Sequence, residues 1–213
     1  MGLRSFVAAW RDRQGAGRLI RQNIFAALNA PRLLPHLAIL RLHRGNERLQ
    51  ADLRRFAKQC LFAEQAGTRE FVLLMANFHE FRNVFYYRVG ILGRLVRFLA
   101  PPIESIYLPT DDIGGGLFLH HGFATIVSAR RVGANCWINQ QVTIGSDVTG
   151  NPEIGDNVFV HCGAKVLGRI TIGDNVVIGA NAVVVKSVPP NCTVAGVPAR
   201  IIRRDGQRVD EPL

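Results

Sequence analysis

The residues best suited to chemistry sit in two short interruptions of an otherwise regular repeat. The first is His120-His121-Gly122-Phe123-Ala124-Thr125 and the second runs from Ser146 to Pro152 (SDVTGNP). An imidazole has an unperturbed pKa of about 6.5, so either histidine of the pair can accept a proton at neutral pH or ligate a metal. A third histidine, His161, lies in Val160-His161-Cys162-Gly163, and three histidines can in principle hold zinc. The remaining candidates are weaker. Cys60, Cys136, Cys162 and Cys192 show no C-x-x-C spacing, so they read as small reduced wall or core residues rather than a disulfide or zinc set. Gly114-Gly115-Gly116 has no Walker lysine and no G-x-G-x-x-G opening a helix; it suits tight corners better than a phosphate cradle.

The element that must position the two interruptions is the repeat itself. Aliphatic residues fall at Ile126, Val132, Ile138 and Ile144, then at Ile154, Val160, Val166, Ile172, Ile178 and Val184. Four positions after most of them comes a second small or aliphatic residue, among them Cys136, Val142, Val148, Val158, Ala164, Val176 and Ala182. A fixed six-residue beat is the period of a parallel β-helix, in which three short strands close a triangular coil of about eighteen residues. Their inward side chains stack into a core that no single repeat could bury. The beat stretches to seven residues between Leu119 and Ile126 and to ten between Ile144 and Ile154. Insertions in a solenoid form loops, often on the binding face, so these two breaks are where a site is expected.

Residues 1–104 read differently, as basic amphipathic helices. The expected helices are Trp10–Leu28, Leu33–Arg44, Glu47–Ala66 and a long Thr68–Phe98 that Gly90 and Gly93 would divide, with Ala100-Pro101-Pro102 as the boundary. The aromatic run Glu80–Arg88 is expected to pack against neighbouring helices or subunits. The organisation expected is a helical domain over 1–104, a coil over 105–204 and a polar, frayed tail over 205–213.

Charge follows the same division. The net charge is +10; residues 1–104 hold 17 Arg/Lys against 7 Asp/Glu, whereas 105–213 hold 9 of each. A solvated helical surface or attraction to an anionic membrane or acidic glycan accounts for this excess. Scattered basic residues with no recognised motif argue against nucleic acid. No apolar run of membrane-spanning length and no leader-like start are present, so the expectation is a cytoplasmic protein with room for contact at the inner membrane face.

Taken together, GLFLHHGFATIV, ANCWINQQVTIG, CGAKVLGRITIGDNVVIGANAVV and VPPNCTVAGVPARII resemble the hexapeptide acyltransferases, over residues 106–204. Within them the chain looks like the serine O-acetyltransferase branch and the nearby surface-polysaccharide acetyltransferases of the colanic-acid type. The resemblance implies a left-handed β-helix, a homotrimer that helical domains can pair into a hexamer, acetyl-CoA as co-substrate and no metal. It places the general base on His121. Matched cofactor positions are Gly145, Ser146, Cys162 and Ala180, with Lys186, Arg200, Arg203 and Arg204 near the nucleotide phosphates. Serine-specific members carry aspartate where this chain has His120, and Arg-His-Pro where it has Gly150-Asn151-Pro152. With those groups absent, the expectation is a saccharide hydroxyl as acceptor, lined by His120, Asn151 and Asp112, and serine as the alternative. The family's orienting aspartate falls on Ile106, which leaves Glu104, Asp111 and Asp112 as candidates for that role.

Overall fold

The structure is a computed structural model that describes Gly17 and residues 20–213. The expected start of the first helix at Trp10 lies outside the described residues. The helical half comprises α1 (20–29), a 3-10 turn at Ala30–Leu33, α2 (Leu34–Leu42), α3 (Glu47–Phe56), α4 (Thr68–Asn77), α5 (His79–Val89) and α6 (Ile91–Val96). Asn46 caps α3, its side chain accepting from the Leu49 N–H at 3.0 Å. Glu70 reaches back to the Gly67 N–H at 2.9 Å and so closes the first turn of α4.

The long helix expected over Thr68–Phe98 is three helices. Gly90 makes one break, at φ 57, but Gly93 does not; it lies inside α6, where a Cβ would run into Tyr86 and Val89. The other break is at Phe78, whose backbone is extended. Its cause is Arg82. Its guanidinium donates to the carbonyls of Met75 (2.7 Å) and Ala76 (2.8 Å), freed at the end of α4, and to that of Pro101 (2.8 Å). Orphan carbonyls that a continuous helix would satisfy internally are satisfied here by one side chain.

From Ile106 onward the chain is a β-solenoid of about five turns. One side stacks β1 (Ile106–Tyr107), β3 (Thr125–Val127), β6 (Thr143–Gly145), β9 (Lys165–Leu167) and β12 (Val183–Val184). The second stacks β4 (Arg131–Val132), β7 (Glu153–Ile154) and β10 (Thr171–Ile172), extended by bridges at Ile113 and Val188. The third stacks β2 (Phe118–His120), β5 (Trp137–Asn139), β8 (Phe159–Val160), β11 (Val177–Ile178) and β13 (Cys192–Ala195). All pairings within the coil are parallel. The inward column Leu119, Val132, Ile138, Ile144, Ile154, Val160, Val166, Ile172, Ile178, Val184 is almost wholly buried.

Two details of the beat differ from expectation. Ile126 is 41% exposed and Val127 takes the inward place. The break after Leu119 is therefore two residues longer than a regular beat, and the following interval from Val127 to Val132 is one residue shorter. Val148, expected inward, stands fully exposed at the tip of the second excursion. The C-terminal tail is also ordered: β14 (Arg200–Arg204) and β15 (Gln207–Pro212) add antiparallel to β13 and cap that side of the coil.

Helix α5 ties the two halves together. Phe81 and Phe85 are buried in the helical core, while Arg88 donates to Asp52 at 2.6 Å and to the carbonyls of Ile113 and Gly114 at 2.6 Å. Asp52 also accepts from the Leu117 N–H at 2.8 Å. Asn83 clamps Ile103 through both its N–H and its carbonyl. The expected packing role of the Glu80–Arg88 run is thus realised within the chain, on the first coil.

Candidate functional site

The three corners of the coil differ, and the site follows from which residues share a corner. At the corner between the third and first sides the chain must take a left-handed backbone. Gln141, Gly163 and Asn181 do so at φ 59, 73 and 56, and His121 does so at φ 58. That conformation belongs to the corner rather than to histidine alone. What sets His121 apart is that its corner carries the two extra residues, with a second left-handed residue at Ala124, φ 53. The imidazole of His121 is left exposed at the rim.

His120 ends β2 and stacks on its neighbours, its ring centroid 4.0 Å from that of His121 and 5.4 Å from Trp137. Asn139, the next residue up the same column, accepts from Trp137 Nε1 at 2.8 Å and from His120 Nδ1 at 3.3 Å. This leaves Nδ1 protonated in neutral His120. Burial, and after it the adjacent His121, pushes His120 below the ordinary histidine value, opposed by the Asn139 hydrogen bond and by Glu80. His161 stands two coils along the column, with Asn139 between it and His120. It packs on Phe159 at 4.4 Å.

A residue that sequence reading missed completes this corner. Glu80, in the first turn of α5, has its Cγ 3.6 Å from where a Cβ on Gly122 would stand. It brings a carboxylate from the helical half to the histidine turn. Ile106, at the family's aspartate position, packs against the same glycine through its Cδ1. The candidates proposed for an orienting acid lie elsewhere. Asp112 pairs with Arg48 (2.9 Å) and Arg131 (3.6 Å), the Asp111 carbonyl takes the Tyr87 hydroxyl, and Glu104 lines a groove with Arg94 and Arg97. Glu80 gave no signal in the sequence because only the docking of α5 makes it a neighbour of residues 120–122.

The second excursion occupies a different corner, between the first and second sides. Asn151 donates weakly to Ser128 at 3.4 Å. Two arginines from adjacent coils flank it: the Arg130 N–H donates to the Pro152 carbonyl at 2.8 Å, and the Arg169 N–H to Thr149 Oγ1 at 2.9 Å. Both arginine side chains are exposed and make no ion pair among the described residues. Of the two, Arg169 runs past Gly150, its Cβ 3.8 Å and its Cδ 4.0 Å from where a Cβ on that glycine would stand.

The eight expected cofactor residues divide three ways. Cys162 and Ala180 share the corner of His121, one coil apart, with the Asn181 N–H on the Cys162 carbonyl at 2.9 Å. Gly145, Ser146 and Lys186 lie on the corner of the excursion. Lys186 and Arg200 also line a cavity of about 160 Å³ with Pro198, Ala199, Pro212 and Leu213. Three of the four cations are already engaged by β15 or the chain end: Arg200 with Asp210 at 2.8 Å, Arg204 with Glu211, and Lys186 Nζ with the Leu213 carbonyl at 2.6 Å. Arg203 is exposed and makes no ion pair among the described residues. Arg200 and Arg204 would have to leave their carboxylate partners to meet a phosphate, whereas Arg203 would not.

Residues 151–186 match the family described as bacterial transferase hexapeptide (six repeats). A serine acetyltransferase of Staphylococcus xylosus is 43% identical over 127 residues, 56% of this chain and 58% of the relative. One from Synechococcus elongatus is 40% identical over 131 residues, 58% of this chain and 53% of the relative. The chain thus spans little more than half the length of these curated relatives. The crystal structure of a serine acetyltransferase from Brucella abortus superposes with a TM-score of 0.58 at 26% identity, covering 80% of this chain and 74% of that one. These likenesses overturn the expected saccharide acceptor and lend no support to the expected kinship with colanic-acid-type enzymes. The expectation rested on the motif positions alone, His120 and Gly150-Asn151; charged side chains that other elements bring to these corners, Glu80 beside Gly122 and Arg169 beside Gly150, do not show in the motif.

Proposed function

We propose that this chain is an acetyl-CoA-dependent serine O-acetyltransferase with His121 as general base. The observation that carries the reading is the lengthened corner, an exposed imidazole beside a carboxylate that arrives from the helical half. Serine carries an ammonium and a carboxylate as well as its hydroxyl. Glu80 supplies the negative group for the first, and Arg130 and Arg169 supply positive groups for the second. The kinship to serine acetyltransferases supports the same assignment.

His121 accepts the hydroxyl proton as the serine oxygen attacks the thioester carbonyl. The carbon–sulfur bond then breaks, and the proton passes from the imidazolium to the departing thiolate. O-acetylserine and free coenzyme A result. Acetyl-CoA supplies the activated acetyl group; Cys162 and Ala180 flank its arm, Gly145 and Ser146 offer backbone, and Lys186, Arg200, Arg203 and Arg204 face its phosphates. His120, kept neutral by burial, holds the rim of the pocket without adding a charge that would repel the ammonium group.

His121, between β2 and β3, and the Gly150–Asn151 excursion, between β6 and β7, stand on different corners of successive coils. A site using both needs a second copy of the chain, which fits the trimer implied by the sequence resemblance. In that arrangement Asn151 lines the acceptor pocket and Asp112, tied to Arg48 and Arg131, stays outside it.

The test is thiol release from acetyl-CoA with L-serine as acceptor. His121→Ala is expected to lower turnover by roughly 10²–10⁴, the usual worth of a positioned base. Turnover unchanged by that substitution, or no release with serine in the wild type, would refute the assignment.

A further inference from the structure

We propose that the joint outer face of α2 and α6 docks on an anionic lipid bilayer. The two helices pack side by side, burying Ile39, Leu40 and Gly93 inward. Outward they leave large apolar side chains uncovered: Leu34 and Leu42 on α2, 62% and 77% exposed, and Ile91 and Leu95 on α6 with Phe98 just beyond it, 66–74% exposed. Ile91, Leu95 and Phe98 follow one another at one helical turn and Leu34 and Leu42 are two turns apart, so each helix carries its apolar residues on one face.

Charge identifies the occupant. Arg41, Arg94 and Arg97 are exposed among these apolar residues, and Arg44 follows at the end of α2. None of the four has a carboxylate within 4.0 Å among the described residues, whereas Arg48, Lys58, Arg69, Arg200 and Arg204 all do. A second copy of this face would set these arginines against their own kind. Lipid phosphates would neutralise them while the acyl boundary takes up leucine, isoleucine and phenylalanine. With nine and six residues the helices are far too short to span, so the contact is a shallow one in the interfacial plane. Serine turnover and docking are independent, since no residue of this face belongs to the acetyl-transfer site.

Flotation of the full chain with phosphatidylglycerol–phosphatidylcholine vesicles tests this, against pure phosphatidylcholine and at low and high salt. Binding to the anionic vesicles is expected, lost at high salt and weakened about tenfold or more in both R94E/R97E and L95S/F98S. Circular dichroism, acetyl transfer and particle size by light scattering should be unchanged in both variants. No flotation of the wild type, or flotation that neither variant weakens, overturns the proposal. So does a smaller particle for L95S/F98S than for wild type, which would mean that a second copy covers the face.

Discussion

The coil wall and the seam where α5 meets the first coil hold their residues by opposite means. In the wall every coil repeats its neighbour: backbone N–H groups pair with the coil alongside, and one aliphatic side chain per side joins a buried column. In the seam nothing repeats. Arg82, Asn83, Tyr86, Tyr87 and Arg88 each reach a different carbonyl or carboxylate, over sequence separations that no period predicts. Redundancy protects the wall against loss of one member, while the seam has no spare.

The largest effect is therefore expected from breaking the seam at Asp52. Its side chain is wholly buried and that of Arg88 is 4% exposed. Burial pushes the Asp52 carboxyl up to about 6, yet the Arg88 guanidinium keeps it ionised at neutral pH. Asp52→Ala leaves a buried guanidinium with only carbonyls to face and the Leu117 N–H without its acceptor. A loss of roughly 3–5 kcal/mol is expected in urea unfolding. Serine turnover should fall with it, because Glu80 rides on the same helix. A loss below about 1 kcal/mol would put the seam on a par with a surface ion pair.

A pH change tests the same region without deleting a contact. Tyr86 gives its hydroxyl proton to the Ala100 carbonyl, so it accepts from His36 Nε2–H at 2.8 Å and leaves Nδ1 of His36 buried without a partner. Burial, followed by Arg82 and Arg32, lowers His36 to about 4. The unfolded chain binds this proton below about 6.5 and the folded chain does not until about 4, so the contribution of His36 to stability falls as pH drops through that window, opposite in sign to that of the raised Asp52 carboxyl. The loss should approach roughly 3 kcal/mol at its acid end. Urea midpoints of wild type and His36→Gln at neutral and acid pH check it, because Asp52 is common to both: the wild type should lose more than the variant, and equal changes in both would assign the acid sensitivity elsewhere.

At the histidine corner the seam serves function. Glu80→Gln keeps the size of the side chain and removes its charge. If the carboxylate holds the serine ammonium group, KM for serine should rise about 10–100-fold, roughly 1.4–2.8 kcal/mol, with a smaller change in kcat. A fall in kcat alone would make Glu80 an orienting group for the imidazole pair.

The contrast also explains what could be read from residues alone. The inward column from Val132 to Val184 was legible because burial repeats, and one periodic signal reports many contacts at once. His121 was legible through the break it sits in. Ile126 was misassigned because two adjacent β-branched residues, Ile126 and Val127, compete for one inward place, and the extra length of the turn decides between them. Phe78 carries no helix-breaking residue type; its break exists because Arg82 satisfies the carbonyls released there. Glu80, Arg130 and Arg169 are ordinary charged residues whose neighbours are chosen by docking and by coil stacking, so no motif marks them.

The smallest effect probes the wall at its asparagine corner. Asn135, Asn157, Asn175 and Asn191 all take left-handed backbone, at φ 56 to 58, and the side chains of the last three form a ladder: Asn157 Nδ2 to Asn175 Oδ1 at 3.2 Å and Asn175 Nδ2 to Asn191 Oδ1 at 2.9 Å. Two causes for asparagine are mixed here, backbone tolerance and the ladder. Asn175→Ala removes both and should cost roughly 1–2 kcal/mol, most of it the left-handed backbone. Asn175→Gly restores the backbone tolerance and removes only the exposed hydrogen bonds, so its cost should be less than half of that. Equal losses from the two would assign the corner to the ladder; no loss from either would mean that neighbouring coils hold the turn without help from its own side chain, a still stronger redundancy than the stacked column implies.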